Sequence, residues 1–168
     1  MRAEHAHEDD CAMTRDITIS VFPKVTSKST NDIVTAIQSL ERRNFPSSEA
    51  LTIAAEVAKR NTNLLYAQST NVTCGYLIYI NTSFGIRIHK LCVAESFRHQ
   101  KVATAMIKYV CNVAQKTGKD IDLWVDERRW PARRCYLSCG FLEVDGVVVD
   151  YYGNGRNGIR MVWSAVRI

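Results

Sequence analysis

Apolar and polar residues alternate over 17–22, and this period of two predicts a strand. The period then lengthens. Ile33, Ile37 and Leu40 fall on one side of a helix that Ser29 or Thr30 can cap and that runs to about Arg43. Pro46 breaks it, and Ser47 or Ser48 can cap a second helix to about Arg60. Apolar runs at 63–69 and 72–80 read as strands joined by a tight turn near Thr70-Asn71, and a third strand covers 85–93. From near His99, the residues Val102, Ala105, Met106, Tyr109 and Val113 form one apolar stripe, so a long helix is predicted, with Gly118 as its natural stop. A short strand follows at 120–125. Pro131 suits the first turn of another helix that ends at Gly140. Strands at 141–152 and 158–166 close the chain. The predicted order is β-α-α-β-β-β-α-β-α-β-β, a single α/β domain over 16–168 around a mixed sheet. Residues 1–15 show no such period and read as a disordered tail.

Composition narrows the class. The chain has 168 residues, 46% of them hydrophobic. A domain of this size buries roughly 70% of its unfolded surface and needs no metal or disulfide to fold. No run approaches the roughly 20 apolar residues of a membrane span, so no membrane partner is expected. The first residues carry no apolar core and do not read as a secretory signal. An intracellular location is expected, cytoplasmic with the nucleus open. The six cysteines (Cys11, Cys74, Cys92, Cys111, Cys135 and Cys139) then read as reduced structural thiols. Cys135 and Cys139 share a helix face, but no second ligand pair at zinc-site spacing follows. His5, His7, Asp9 and Asp10 read as a solvated tail, and no metal is expected. The net charge of +5 allows a nucleic-acid binder or a protein that holds a small polyanion. No basic stripe interleaved with aromatics supports the first. The Arg98/Lys101 and Arg128/Arg129/Arg133/Arg134 groups could equally be solvated helix faces.

The informative stretch is 91–104, where a strand ends and a helix starts at once. Backbone N–H groups at a helix start lack internal partners, and the helix dipole favours negative charge there. Such a corner can hold a phosphate or pyrophosphate. The small Ala103 and Thr104 permit close approach, and Arg98, His99 and Lys101 add positive side chains. An ordinary strand–helix corner is the alternative.

This stretch resembles the acetyl-CoA signature of the GNAT superfamily of N-acetyltransferases, Gln/Arg-x-x-Gly-x-Gly/Ala, matched by Arg98-His99-Gln100-Lys101-Val102-Ala103 except at one glycine. The second family signature, Asn-x-x-Ala-x-x-x-Tyr-x-x-x-Gly-Phe, resembles the stretch from Arg129 through Ala132 and Tyr136 to Gly140-Phe141. The predicted element order is similar to the family's over 17–166. The resemblance implies a mostly antiparallel sheet with helices on both faces. It also implies acetyl-CoA as co-substrate, with Leu91, Cys92 and Val93 against its pantetheine arm. Arg98, His99, Gln100, Lys101, Val102, Ala103 and Thr104 would lie at its phosphates, and Arg129 and Ala132 beside it. Lys101 replaces a glycine, which costs about 1–2 kcal/mol if that position needs a positive φ. Arg129 replaces an asparagine, and its guanidinium can donate but not accept.

The implied reaction is direct attack of a primary amine on the thioester. The amine must lose a proton, the oxyanion needs a donor near Cys92 or Val93, and the leaving thiolate needs an acid. Tyr136 matches the family's motif tyrosine and is the candidate acid, its bland alternative being a core tyrosine. Asp126 and His89 are candidate bases, as is a water chain. Glu41, Phe45 and Pro46 in one loop and Tyr151 and Tyr152 in another are candidate acceptor-binding residues, resembling protein N-terminal acetyltransferases. The acceptor is expected to be a protein or peptide N-terminus or a small amine, with the chain a monomer or homodimer. A scaffold that binds acyl-CoA without catalysis is the alternative.

Overall fold

The computed structural model describes residues 16–24 and 27–166, so the expected tail with Cys11 lies outside the described residues. The predicted element order holds throughout. The strands are β1 (Ile17–Val21), β2 (Thr62–Ser69), β3 (Val72–Asn81), β4 (Ile86–Val93), β5 (Ile121–Asp126), β6 (Leu142–Gly153) and β7 (Arg156–Trp163). The helices are α1 (Lys28–Asn44), α2 (Ile53–Ala58), α3 (Val102–Thr117) and α4 (Trp130–Ser138), with a short 3₁₀ turn at Glu95–Phe97.

Three helix starts differ from the predicted ones, each for a local reason. Ser27, not Ser29 or Thr30, caps α1. Its hydroxyl accepts from Thr30 N–H at 3.4 Å while the Thr30 hydroxyl accepts from Ser27 N–H at 2.6 Å, a reciprocal capping box. Helix α2 does not begin at Ser47 or Ser48. The Gln38 side chain on α1 accepts from Ile53 N–H at 2.9 Å and donates to Leu51 C=O at 2.9 Å. Glu41 accepts from Leu51 N–H at 2.8 Å. Glu49 and Ala50 N–H close a local turn on Pro46 C=O, and tertiary partners then claim the backbone of Leu51 and Ile53, so no helix continues across 47–52. Helix α3 starts at Val102 because His99 and Lys101 both take left-handed conformations, φ 61° and 60°.

The seven strands form one sheet in the order β1-β2-β3-β4-β5-β7-β6. Only β4 and β5 pair in parallel; every other pair is antiparallel. Helices α3 and α4 cover one face over a core that includes Leu77, Ile88, Met106, Val110, Leu123 and Phe141. Helices α1 and α2 cover the other, over Ile37, Leu40, Ile53, Leu64, Tyr76 and Ile78. β3 lies close enough to β4 that a Cβ at Gly75 would meet Cys92 C=O at 3.0 Å, so a larger residue there would have to push the β4 backbone aside.

β4 carries the feature that shapes the site. Ile78 pairs with Lys90, but Tyr79 pairs with Ile88, so His89 is an extra residue in β4, a bulge. Alternation changes phase there. Ile86 and Ile88 face the α3 side before the bulge, and Leu91 and Val93 face it afterwards. Cys92 turns to the α1 side.

Candidate active site

β4 and β5 pair only at Ile86–Ile121 and Arg87–Asp122. Beyond those residues the strands part and open a cavity of about 130 Å³. Ala94 N–H donates to Cys74 C=O at 2.8 Å. By strand alternation Cys92 N–H also turns toward β3, whereas the N–H groups of Leu91 and Val93 turn toward the gap. Of the two expected oxyanion donors, geometry therefore favours Val93 over Cys92.

The walls come from both sides of the gap: His89, Lys90 and Leu91 from β4; Trp124 and Asp126 from β5; Ala132 and Tyr136 from α4. The loop after α1 adds Phe45 and Glu49, and the β6–β7 hairpin adds Tyr152 and Arg156. Ion pairs tie these pieces together. Lys90 Nζ lies 2.8 Å from Glu41 Oε1, donates to Glu49 C=O at 2.6 Å, and sits 3.8 Å from the Phe45 ring centre. Glu41 is wholly buried and also accepts from the Tyr76 hydroxyl. Glu41 therefore cannot touch an acceptor, contrary to expectation; it acts by holding Lys90. Arg156 donates from Nε to Asp126 at 2.7 Å, pairs with Glu49, and stacks 5.2 Å from Tyr152.

The titrating groups follow from these contacts. Burial pushes Asp126 up, but the Arg128 N–H, the Arg156 guanidinium and the Arg129 charge together outweigh it, leaving the carboxyl below its ordinary range. A carboxylate clamped in that way is a poor proton acceptor, so the expectation of Asp126 as base gives way to a positioning role. His89 is exposed on the bulge, yet the protein around its ring lowers its pKa, with Glu56 opposing. It is neutral near pH 7 and able to take a proton. Tyr136 is 6% exposed, and burial raises its pKa well above the ordinary tyrosine range. Its hydroxyl holds its proton at neutral pH.

The other expected residues divide. Lys101 precedes α3 in the left-handed conformation, and no side chain caps the helix. The first N–H groups of α3 are thus oriented as an anion cradle requires. The Arg98 guanidinium is partly committed: it donates to Val93 C=O at 3.3 Å and to Asn44 Oδ1 at 3.0 Å. Gln100 bonds back to Ser96 C=O at 3.1 Å, within the turn. Thr104 Oγ1 lies 3.9 Å from Cys135 Sγ. Arg129 stands over the Phe45 ring at 4.9 Å and lines the cavity. Arg133 pairs with Glu143 at 2.8 Å. Tyr151 does not line the cavity. Its ring stacks on Trp124, with centroids 4.2 Å apart, and lies over Gly158, where any side chain would collide with it. Pro46 does not line the cavity either; its C=O accepts from Glu49 and Ala50 N–H at 2.9 Å and so shapes the loop.

Sequence reasoning missed Glu49, Lys90 and Arg156. Each reads alone as a surface charge, and their charged partners lie 30 to 107 residues away, which no local pattern carries. Among the described residues there is no group of three potential metal ligands, and no helix is long and apolar enough to cross a membrane. The five described cysteines form no disulfide.

The sequence model of the acetyltransferase (GNAT) family matches residues 32–141. The chain belongs to the GNAT family of acetyltransferases. Solved structures agree on the fold. The ribosomal-protein-S18-alanine N-acetyltransferase from Escherichia coli superposes with a TM-score of 0.74 at 18% identity, over 91% of this chain and 96% of that one. An aminoglycoside 6'-N-acetyltransferase complexed with coenzyme A gives 0.73 at 17% identity, over 90% and 98%. The aminoglycoside 6'-acetyltransferase from Enterococcus faecium gives 0.71 at 18%, over 90% and 98%. No curated protein matches the chain significantly. As a GNAT member the chain is an acyltransferase, and the family's co-substrate is acetyl-CoA. The parted strands and the uncapped α3 start fit such a ligand. One offers free strand edges to an amide-bearing arm, the other free N–H groups to phosphates.

Proposed function

We propose that the chain transfers an acetyl group from acetyl-CoA to the primary amine of a peptide N-terminus or small molecule, by direct attack on the thioester. The observation that carries this reading is the parting of β4 from β5 beside the uncapped start of α3, with Tyr136 among the residues of the cavity wall. When bound, acetyl-CoA supplies an activated acetyl group. The chain's own residues do the rest. The N–H groups of Val102, Ala103 and Thr104, with the Lys101 ammonium beside them, bind phosphate oxygens. The Leu91 and Val93 edges hold the pantetheine amides, and Val93 N–H stabilises negative charge on the acetyl oxygen. His89 takes the amine proton, directly or through water, and the Tyr136 Oη proton goes to the departing sulfur. Asp126 and Glu49 orient Arg156, which holds Tyr152 against the cavity.

Titration calorimetry with acetyl-CoA, followed by thiol release over a panel of peptides and small amines, tests the reading. Binding with thiol release supports it. Binding without release from any amine would instead support a scaffold, and absence of binding would overturn both.

A further inference from the structure

The cavity's charged side chains differ in what they have left to offer. Glu41 already accepts from Lys90, the Tyr76 hydroxyl and Leu51 N–H. Glu49 and Asp126 both bind the Arg156 guanidinium, and Asp126 also accepts from Arg128 N–H at 2.9 Å. Lys90 is held by Glu41, Glu49 C=O and the Phe45 ring. Among the described residues that line the cavity, an acceptor carrying several ammonium groups would meet only carboxylates already engaged.

Arg129 is the exception. Its side chain is exposed and rests on the Phe45 ring at 4.9 Å; among the described contacts of its guanidinium there is no carboxylate hydrogen bond. Phe45 is itself fixed from Lys90 at 3.8 Å, so Arg129 has a firm platform. The position is central. The Arg129 charge favours the ionised forms of Asp126, Tyr136 and Tyr152, which line the cavity with it. A planar guanidinium with free donors suits a carboxylate, which it can bind through two parallel hydrogen bonds.

We propose that Arg129 selects acceptors bearing a carboxylate near the reacting amine, as in an amino acid or a peptide with an acidic residue by its N-terminus. This rests on the acetyl-transfer reading above. The cavity of about 130 Å³ has room for the acetyl group and the atoms around one amine, and Arg129 is both a lining residue and exposed, so its guanidinium can reach a carboxylate that stays in solvent contact.

The test compares β-alanine with β-alanine amide, and an N-terminal Ser-Glu peptide with its Ser-Gln match, alongside the polyamine spermidine. Thiol release is measured at fixed acetyl-CoA for the native chain, Arg129→Gln and Arg129→Lys. The first pair reads a free amino acid, and the second reads a peptide. One carboxylate member is expected to exceed its amide by about tenfold in kcat/KM, the worth of one exposed charge-assisted contact. Arg129→Gln should abolish that preference through the acceptor KM while leaving the acetyl-CoA KM within twofold, and Arg129→Lys should keep part of it. Equal rates within both pairs, or faster turnover of spermidine, would overturn the inference and leave acetyl transfer standing. So would an Arg129→Gln effect confined to the acetyl-CoA KM, which would return Arg129 to the phosphates. Release from no amine in any panel would overturn both.

Discussion

Lys90→Met removes one partner of a buried ion pair and keeps much of the side-chain volume. The Lys90 and Glu41 side chains are 11% and 0% exposed, and their charges are 2.8 Å apart. Breaking a buried pair from one side costs about 3–5 kcal/mol, because the other charge stays behind without its partner. Here Glu41 keeps the Tyr76 hydroxyl and Leu51 N–H, which pulls the figure toward the lower end. Two losses push it back. The Lys90 bond to Glu49 C=O contributes about 1 kcal/mol, and the cation over Phe45 about 0.5–1 kcal/mol. The expected total is about 3–5 kcal/mol, read by urea unfolding with linear extrapolation. For a chain of this size that lowers Tm by roughly 6–20 °C. Glu41→Gln in the Lys90→Met background should recover at least about 1.5 kcal/mol, because the uncompensated charge is gone. A Lys90→Met loss below about 1 kcal/mol, or strict additivity of the two changes, would refute the reasoning. Either result would mean that water reaches the pair.

Three further outcomes follow from single residues. Tyr136→Phe should leave folding stability and acetyl-CoA affinity nearly unchanged and slow single-turnover acetyl transfer by about 10²-fold or more; an unchanged rate removes Tyr136 as the acid. Lys101→Gly should raise unfolding stability by up to about 1 kcal/mol, since φ is 60° and glycine carries no Cβ there, with the extra freedom of glycine in the unfolded chain as the offset. A loss of stability would show that the lysine side chain holds the turn. Asp126 lies below its ordinary value of 3.8 when folded, so its contribution to stability is complete above that value and is lost as pH falls through the lower folded value. Asp126→Asn should therefore flatten the acid limb of a stability profile below about pH 4, and an unchanged limb would mean that the Arg156 clamp is broken in solution.

Local chemistry made much of this fold legible. Strands β1 to β5 present period-two or apolar runs, and the existence and extent of α3 follow from its apolar periodicity, but its buried face does not: Val102, Met106, Ile107, Val110, Cys111 and Ala114 pack inward, whereas Ala105 and Tyr109 of the predicted stripe are exposed. Where the reading slipped, a distant group had taken over. Ser47 and Ser48 have good capping chemistry, yet Gln38 and Glu41 on α1 claim the backbone of Leu51 and Ile53 first. β6 looked like one strand, but Asp145-Gly146 and Asp150 take positive φ and interrupt its pairing with β7. The strand–helix corner before α3 was legible, to within three residues, because it is built from consecutive residues. The charged wall of the cavity was not, because Glu49, Lys90, Asp126 and Arg156 come from separate elements. Glu41 illustrates the difference. Its place in a loop-proximal turn suggested contact with an acceptor, and only tertiary structure reveals that it faces inward toward Tyr76.

The parting of β4 from β5 creates a physical problem that these charges answer. Two adjacent strands that stop hydrogen-bonding leave edges that could separate further or admit water along the core. Glu49 spans the opening. Its backbone C=O receives Lys90 from β4, and its carboxylate receives Arg156 from β7, which also grips Asp126 at the end of β5. One loop residue thus joins both sides of the split sheet above the cavity. The sheet itself closes the other end through Arg87 and Asp122, paired in register and by a 2.6 Å salt bridge. Between these two closures Leu91 and Val93 have no strand partner on the β5 side, and the Val93 C=O accepts from Arg98 Nε at 3.3 Å. The same stitching engages the carboxylates of Glu49 and Asp126 at the cavity wall, so the contacts that hold the cleft at a fixed width also fix the charges that line it.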